Sequence, residues 1–299
     1  MHEVKELLNK YNIRPLSYLR KNNTYIVSDN KNTYVINKNK IDNKIINTLK
    51  ARNYDYIPEI ISNQNDTYQI SKYYDSYEMP NEEKAKDIAF LISMLHTKTT
   101  HYEKAGISYY KEIYEELATE IDDFYNYITN LNELLFEDIY MSPSMYLLSR
   151  NISKVYSLIE FLTNELDDWY NIANKKDKKR VAVIHNNLSI DNYIKNNKSY
   201  LTCWDKSKID LPIKDIEVFY RNSYNLIDFD NVLDIYLSKY PLFDDELKLL
   251  FITMSLPNKM SFTSDEYENV LEVEKFYDYI YKTDSLLLKY YSQNKKKEN

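Results

Sequence analysis

The stretch that decides the fold is VAVIHNNLSIDNYIKNNKSYLTCWDKSKIDLPIKD, residues 181–215. It opens on four apolar residues, continues as a polar loop, and then places apolar and β-branched side chains on both sides of the turn at 196–198. This pattern predicts a short strand at 181–184, a loop, and a hairpin with strands at 193–195 and 200–204. We therefore expect this segment to carry the functional residues of the chain.

The first 75 residues predict a small β-rich lobe. β-branched and aromatic residues flank the turn-like segment 29–32 and predict a hairpin. The predicted order of elements is helix, strand, strand, helix, strand, strand, at residues 3–11, 24–28, 33–37, 41–51, 59–62 and 67–72.

Most of the remaining chain has a helical pattern. Asn81, followed by two glutamates, fits the N-cap and acidic first turn of a helix that reaches about residue 96. Ser142-Pro143 fits the start of a helix that continues to about residue 169. The regions 106–136 and 213–291 are also predicted to be helical.

These elements predict a bilobal α+β fold, and their layout resembles that of protein-kinase-like proteins. We expect an antiparallel β lobe with one helix at residues 1–75 and a larger helical lobe at 76–292. The helical lobe carries the loop and hairpin at 181–205. A basic, flexible tail at 293–299 is expected to follow.

Composition excludes several classes of protein. Cys203 is the one cysteine of the sequence, so an intrachain disulfide is excluded, and the charged start of the chain lacks the apolar run of a signal peptide. We therefore expect a cytoplasmic protein. A net charge of -7 argues against a nucleic-acid-binding or membrane-binding surface.

Glycine and tyrosine contents are both unusual. The chain has one glycine, Gly106, so it cannot form a glycine-rich phosphate loop of the Walker or dinucleotide-binding type. It also has 32 tyrosines. A codon bias toward Asn, Lys, Ile and Tyr accounts for the general trend, while packing, protein interfaces and oxidative cross-linking remain open as uses of tyrosine.

Motif spacing in 181–215 then suggests a family. The polar positions are His185-Asn186-Asn187, Asn192, Thr202-Cys203-Trp204, and Pro212 followed by Asp215. They match the spacing of His-Gly-Asp, Asn, Ile-Asp-aromatic and Pro-x-x-Asp in the aminoglycoside and choline phosphotransferase group. Within that group the chain resembles the spore coat protein S (CotS) family. The resemblance covers nearly the whole chain in layout, but its specific motifs lie in 181–220 and 33–37.

The resemblance implies that catalytic groups have been replaced. Asn187 stands at the catalytic-base position, and a carboxamide cannot usefully accept a proton near neutral pH. Cys203 stands at the principal metal-ligand position, although magnesium prefers hard oxygen ligands. Asn192 alone remains as an expected metal ligand. Asn37 takes the place of the phosphate-binding lysine, and the adjacent Lys38 is expected to face the opposite side of its strand.

Three polar residues of this segment have two interpretations each. Asp191 and Asp205 are either relocated catalytic or metal-binding carboxylates or ordinary turn residues. Cys203 is either a reactive thiol or, as we expect from its apolar neighbours, a buried small hydrophobe. His185 and Asp215 are predicted to be structural, the first as a buried scaffold histidine and the second as an anchor of the loop or a helix cap.

Three functions stay open. The first is a catalytically inactive kinase-fold protein with a structural or scaffold role and protein partners, for which the family resemblance suggests the spore coat; no cofactor is expected. The second is an active phosphotransferase that uses ATP, Mg²⁺, Asp191 and Asp205 to phosphorylate a small hydroxylated acceptor. The third is a mainly helical interaction protein without the small β lobe. On this sequence, enzymatic activity is the less favoured alternative.

Overall fold

The computed structural model describes residues 2–21, 24–63, 65–134 and 140–297, with side chains described as far as Tyr291. The strands are β1 (Ser17–Lys21), β2 (Thr24–Ser28), β3 (Thr33–Asn37), β4 (Gln69–Lys72), β5 (His101–Lys104), β6 (Lys178–Ile184), β7 (Tyr193–Lys195), β8 (Ser199–Leu201) and β9 (Lys208–Asp210). The helices are α1 (His2–Lys10), α2 (Asn43–Ala51), α3 (Asn81–Thr99), α4 (Tyr109–Leu134), α5 (Pro143–Ala173), α6 (Ile213–Ser223), α7 (Phe229–Lys239), α8 (Asp244–Ser255) and α9 (Glu266–Lys297).

The predicted α+β class is confirmed, with a small antiparallel sheet and a larger helical region. The chain divides into two compact units. The first contains Met1–His101 and Arg180–Pro241, and the second contains Tyr102–Lys179 and Leu242–Asn299. None of the helices in the described ranges has a stretch apolar enough, over the length required, to cross a bilayer.

The four-stranded sheet of the first unit has the order β1-β2-β3-β4 and is antiparallel throughout. One face packs Val27, Ile36 and Ile70 against the apolar side of α1 in a buried core. Strand alternation sends the intervening residues, Val35 and Asn37 among them, to the opposite face. The sheet therefore has one face for the core and one for the candidate site.

Several boundaries predicted from the sequence are confirmed. The hairpin of β2 and β3 has the predicted limits, and β7 does as well. The Ser142 side chain caps α5 by accepting from the Met145 amide, and Pro143 is the first helical residue. The end of the helix predicted at 106–136 falls partly on residues 135 and 136, which lie outside the described residues.

Other predictions at element boundaries are wrong. The strand predicted at 59–62 is only an isolated bridge from Ile60 to Ser71, because the amides of Ile61 and Ser62 both donate to the Ile70 carbonyl instead of continuing a ladder. Pro80, not Asn81, occupies the N-cap position of α3 and makes no side-chain cap. Strand β1 was missed because all five of its residues are exposed, so no buried alternation marks it.

A buried carboxylate ties α1 to the loop before β4. Lys10 and Tyr11 both donate to the carboxylate of Asp66, as does the amide of Asn63. Burial alone would raise the pKa of Asp66, but the hydrogen bonds from Lys10 and Tyr11 outweigh it, so the pKa lies below its usual value. The ionised carboxylate therefore stabilises this corner of the first unit.

Replacing Asp66 with Asn should lower the free energy of unfolding by about 1–3 kcal/mol, because hydrogen bonds to a charged group are lost. The folded pKa lies below the unfolded value of about 3.9, so this contribution is present above about pH 4 and is lost as the pH falls through the folded pKa. Denaturant titrations at several pH values measure it. The exposed Asp55 supplies the control, and an equal loss in Asp55→Asn would contradict the assignment.

Candidate functional site

The loop after β6 is held by one fully buried carboxylate. Residues 181–184 of β6 are buried, and the chain turns at His185 directly after them. The backbone amides of His185 and Asn186 donate to the two carboxylate oxygens of Asp215, at 2.8 and 2.6 Å. Asp215 lies in the first turn of α6, where the helix dipole also favours a negative charge. This carboxylate fixes the start of the loop.

Two histidines complete the support of the loop. His96 of α3 is fully buried, and its ring places Nε2 3.1 Å from Asp215 and Nδ1 2.8 Å from the hydroxyl of Tyr236. His185 is also fully buried, with Nε2 2.8 Å from the carbonyl oxygen of Thr202. Burial lowers the pKa of His185, so its ring is neutral near pH 7 and donates from Nε2 to that carbonyl. His185 thus joins the loop to the hairpin.

The backbone of the loop uses conformations that most residues avoid. Asn186 has φ 57° and Cys203 has φ 62°, both in the left-handed region that favours glycine. Asparagine is one of the few other residues that enter this region readily, so Asn186 accommodates the turn where the resembled family has glycine. The loop conformation is therefore compatible with a chain that has a single glycine.

Three predicted site residues are brought together. The side-chain amide of Asn192 donates to the Asn187 carbonyl oxygen at 2.7 Å. The side-chain amide of Asn187 lies 3.3 Å from the carbonyl oxygen of Cys203. Thr202 donates from its amide and its hydroxyl to the Asn192 carbonyl, at 2.9 and 3.1 Å. The predicted base position and both metal positions thus form one neutral network of carboxamides and carbonyls.

Cys203 is exposed, so the expectation of a buried small hydrophobe is wrong. Strand β8 ends at Leu201 and Cys203 has a left-handed backbone, so the apolar neighbours of Cys203 in the sequence do not bury its side chain. Desolvation around the thiol still raises the pKa of Cys203. The thiol is consequently protonated near neutral pH, which makes it a poor metal ligand.

A cleft of about 280 Å³ lies between the sheet face that carries Val35 and the loop that carries Cys203. Asn37 lines it, and its side-chain oxygen accepts from the hydroxyl of Thr24 at 2.7 Å. Lys38 also lines the cleft, so the expectation that it faces away is wrong: β3 ends at Asn37, and strand alternation does not continue into the bend. The remaining lining residues are Asn39, Ile41, Pro58, Gln69, Ser71, Lys72, Tyr73, Tyr74, Ile194, Thr202, Trp204 and Asp205.

The two candidate carboxylates are placed differently. Asp205 lines the cleft and lies in a single 3-10 turn, where its carboxylate is 3.4 Å from the side-chain amide of Asn39. Asp191 is exposed in another 3-10 turn and does not line the cleft. In the described part of the chain, no group of three His, Cys, Asp or Glu side chains is arranged to hold a metal ion.

The hairpin of β7 and β8 is attached to the segment that joins the sheet to α3. The ring of Tyr74 stacks on that of Tyr200, with centroids 4.4 Å apart and planes inclined by 16°. The Tyr77 amide donates to the Lys195 carbonyl oxygen at 2.7 Å. The side-chain amide of Asn196 donates to the backbone carbonyl oxygen of Asp75. These contacts hold Ile194 and Tyr74 in position, and both residues line the cleft.

Sequence reasoning missed His96 and Tyr236, which support the loop through Asp215. They are 119 and 21 residues from Asp215 along the chain, so no local motif connects them. The available signal was the position of His96 four residues after Ile92, on the buried side of α3. A second cavity, of about 310 Å³ and mainly apolar, lies within the other unit between α5 and α9 and holds none of the predicted site residues.

Comparison with solved structures shows that the chain has the fold of kinase-like phosphotransferases. The chain superposes on an aminoglycoside phosphotransferase from Alicyclobacillus acidocaldarius subsp. acidocaldarius with a TM-score of 0.74 at 9% identity, over 97% of this chain and 95% of the other.

Two further structures agree. The AMP-bound spectinomycin phosphotransferase gives a TM-score of 0.58 at 12% identity, over 94% of this chain and 97% of that one. A glucosamine kinase gives 0.52 at 10% identity, over 93% and 78%. Protein-family models and curated protein sequences yield no match. The chain therefore has the aminoglycoside phosphotransferase fold, which confirms the predicted kinase-like architecture.

Replacing Asp215 with Asn should lower the free energy of unfolding by about 3–5 kcal/mol, because the new amide group would face a backbone N–H and the buried polar groups would lose their charged acceptor. Chemical denaturation followed by circular dichroism gives the value. Asp205→Asn is the matched control, and this exposed substitution should change stability by less than about 0.5 kcal/mol. Similar losses in the two variants would mean that Asp215 is not the anchor.

Proposed function

We propose that this chain is a kinase-fold protein that does not transfer phosphoryl groups and that acts by binding other proteins, as a structural or scaffold component. The observation that carries the proposal is the hydrogen-bonded network of Asn187, Asn192 and Cys203. The motif resemblance assigns these three residues to positions at which a phosphotransferase needs ionised groups, and the network contains none.

Proton transfer is the first function that the network does not support. A general base must accept a proton from the acceptor hydroxyl, and such bases contribute roughly 10²- to 10⁴-fold to rate. Asn187 is a carboxamide, and its amide nitrogen already donates toward the Cys203 carbonyl. The side chain is thus used to join the loop to the segment after β8.

The residues also do not fit a magnesium ion. Mg²⁺ requires near-octahedral oxygen coordination and is usually held by one or two carboxylates together with phosphates. Asn192 offers one neutral carbonyl oxygen, and Cys203 offers a protonated thiol. We derive no catalytic step through a metal at these two positions.

On the sheet side of the cleft, a row of three neutral side chains includes the residue that takes the place of the lysine. Thr24, Asn37 and Gln69 are directly opposite one another on three neighbouring strands, and all three line the cleft. By the motif resemblance Asn37 takes the place of the lysine, and its side-chain oxygen accepts a hydrogen bond from the hydroxyl of Thr24. This row offers hydrogen bonds to a ligand but no fixed positive charge for phosphates.

The binding role follows from the combination of a supported loop and replaced reactive groups. A buried carboxylate and two buried histidines hold the conformation of the loop, although the side chains of Asn187, Asn192 and Cys203 are not ionised. A protein that uses this surface for binding rather than for catalysis would have that combination. The resemblance of the motif spacing to the spore coat protein S family suggests the spore coat as the assembly in which this surface is used.

One observation favours a second candidate, an active small-molecule phosphotransferase with a relocated carboxylate. Asp205 and Lys38 both line the cleft, so a negative and a positive group face the same space. In this candidate Asp205 replaces the lost metal ligand and Lys38 the lost lysine. Of the two carboxylates, Asp205 lines the cleft and Asp191 does not, so Asp205 is the one that this candidate places beside the nucleotide. Aminoglycosides, glucosamine and choline are the acceptors to test.

In the inactive protein, Mg²⁺ should add nothing to any stabilisation by ATP, because a ligand raises the melting temperature only when the folded state binds it. The double variant Asn187→Asp/Cys203→Asp places two carboxylates around Asn192 and should gain a magnesium-dependent rise of several degrees with ATP. Thermal-shift titrations with and without Mg²⁺ measure both. A magnesium-dependent rise in the wild-type protein, as large as in the variant, would contradict the proposal.

If phosphorylation of an acceptor is detected, Asp205→Ala should reduce it at least about 100-fold and Asp191→Ala should leave it within about twofold, because only Asp205 faces the cleft. Product formation from radiolabelled ATP is the measurement. Loss of activity in Asp191→Ala alone would rule out the relocated arrangement at Asp205.

A further inference from the structure

The sheet of the first unit has two edges, which differ in how far the described chain covers them. The outer edge of β4 is covered by the chain itself, since Ile61 donates to the Ile70 carbonyl and Lys72 donates to the Glu59 carbonyl. Strand β1 forms the other edge, and within the described residues its sheet neighbour is β2 alone. An edge strand offers backbone N–H and C=O groups to any second strand of suitable shape.

Two side chains of β1 and the side chain of the residue before it are apolar and exposed. The exposed fractions are 71% for Leu16, 42% for Tyr18 and 61% for Leu19. Proteins commonly protect edge strands with short length, proline, bulges or charged side chains. Here the charged residues are Arg20 and Lys21 at one end of the strand, so the apolar part of the edge is not interrupted by charge.

The order of residues in β1 distinguishes between ways of pairing two copies. In a parallel pair, Arg20 would lie beside Arg20 of the second copy, and like charges would repel. In an antiparallel pair centred on Leu19, Leu19 faces Leu19, Tyr18 faces Arg20, and Ser17 faces Lys21. No like charges are opposite one another in this register, and each Arg20 meets an aromatic ring.

The faces of the strand agree with this register. In the β1–β2 ladder Tyr18 is opposite Val27 and Arg20 is opposite Tyr25, so Tyr18 and Arg20 are on the same face of the sheet. A Tyr18–Arg20 pair across the two copies therefore requires no change in either strand. Arg20 already lies over the ring of Tyr25, at 5.7 Å, which orients its guanidinium on that face.

We propose that β1 is a self-association site at which two copies of this chain pair their edge strands in antiparallel fashion about a two-fold axis at Leu19. The two four-stranded sheets then form one continuous sheet of eight strands. A pairing of five residues is small compared with a stable interface, so the dimer forms at high micromolar concentration and dissociates on dilution.

Disulfide trapping tests this register directly. With Cys203→Ser as background the chain has no other thiol. Leu19→Cys places two thiols on the axis, where facing Cα atoms are about 4.5–5.5 Å apart and within disulfide range. Ser17→Cys places them about 13 Å apart along the strands, too far to join. An equimolar mixture of Ser17→Cys and Lys21→Cys brings unlike thiols opposite each other and restores the cross-link.

The expected result is rapid, concentration-dependent formation of a covalent dimer by Leu19→Cys and by the mixture, and none by Ser17→Cys alone. Leu226→Cys, at an apolar residue with a similar exposed fraction of 51%, measures random collision. A dimer yield for Leu19→Cys no greater than for Leu226→Cys would overturn the proposal. Circular dichroism spectra of the variants check that each is folded.

Sedimentation equilibrium gives an independent readout without cross-linking. Leu19→Lys places two ammonium groups opposite each other at the axis, so the wild-type dimer fraction should fall at least tenfold in this variant. Leu226→Lys adds the same charge elsewhere and should leave the dimer fraction unchanged. Equal dimer fractions in wild type and Leu19→Lys would contradict pairing through β1.

Discussion

The buried carboxylate of Asp215 is the interaction on which the rest of the site depends. It accepts the amides of His185 and Asn186 and approaches His96, and none of its surface is exposed to water. A buried charge is tolerated only when it is fully hydrogen-bonded, so this arrangement admits little variation. It connects β6, α3 and α6 and thereby sets where the loop starts.

Because the support of the loop lies beneath it, the groups on its surface can change without loss of the fold. Asn186 and Cys203 adopt left-handed backbone conformations, and the carboxamides of Asn187 and Asn192 donate to carbonyls of the same segment. These bonds stabilise the loop with neutral groups. Under the proposed function, the chain keeps the fold of a phosphotransferase without its chemistry.

The sequence predicted what local patterning determines. The β2–β3 hairpin and the Ser142 cap follow from short-range rules, and they lie where expected. Contacts distant in sequence were not predictable, such as the support of Asp215 by His96. The burial predicted for Cys203 from its apolar neighbours was wrong, since the backbone there is left-handed, with φ 62°, and the residue is exposed. Edge strand β1 carries no buried face, so hydrophobic periodicity could not reveal it.

The most direct test of the central claim is the formation of ADP by the purified wild-type chain in the presence of ATP and Mg²⁺, with and without hydroxylated acceptors. A neutral carboxamide network predicts a rate no higher than that of a protein-free blank. A rate clearly above the blank that disappears in Asn192→Ala would show that the site holds a metal–nucleotide complex and turns it over, and would contradict the account.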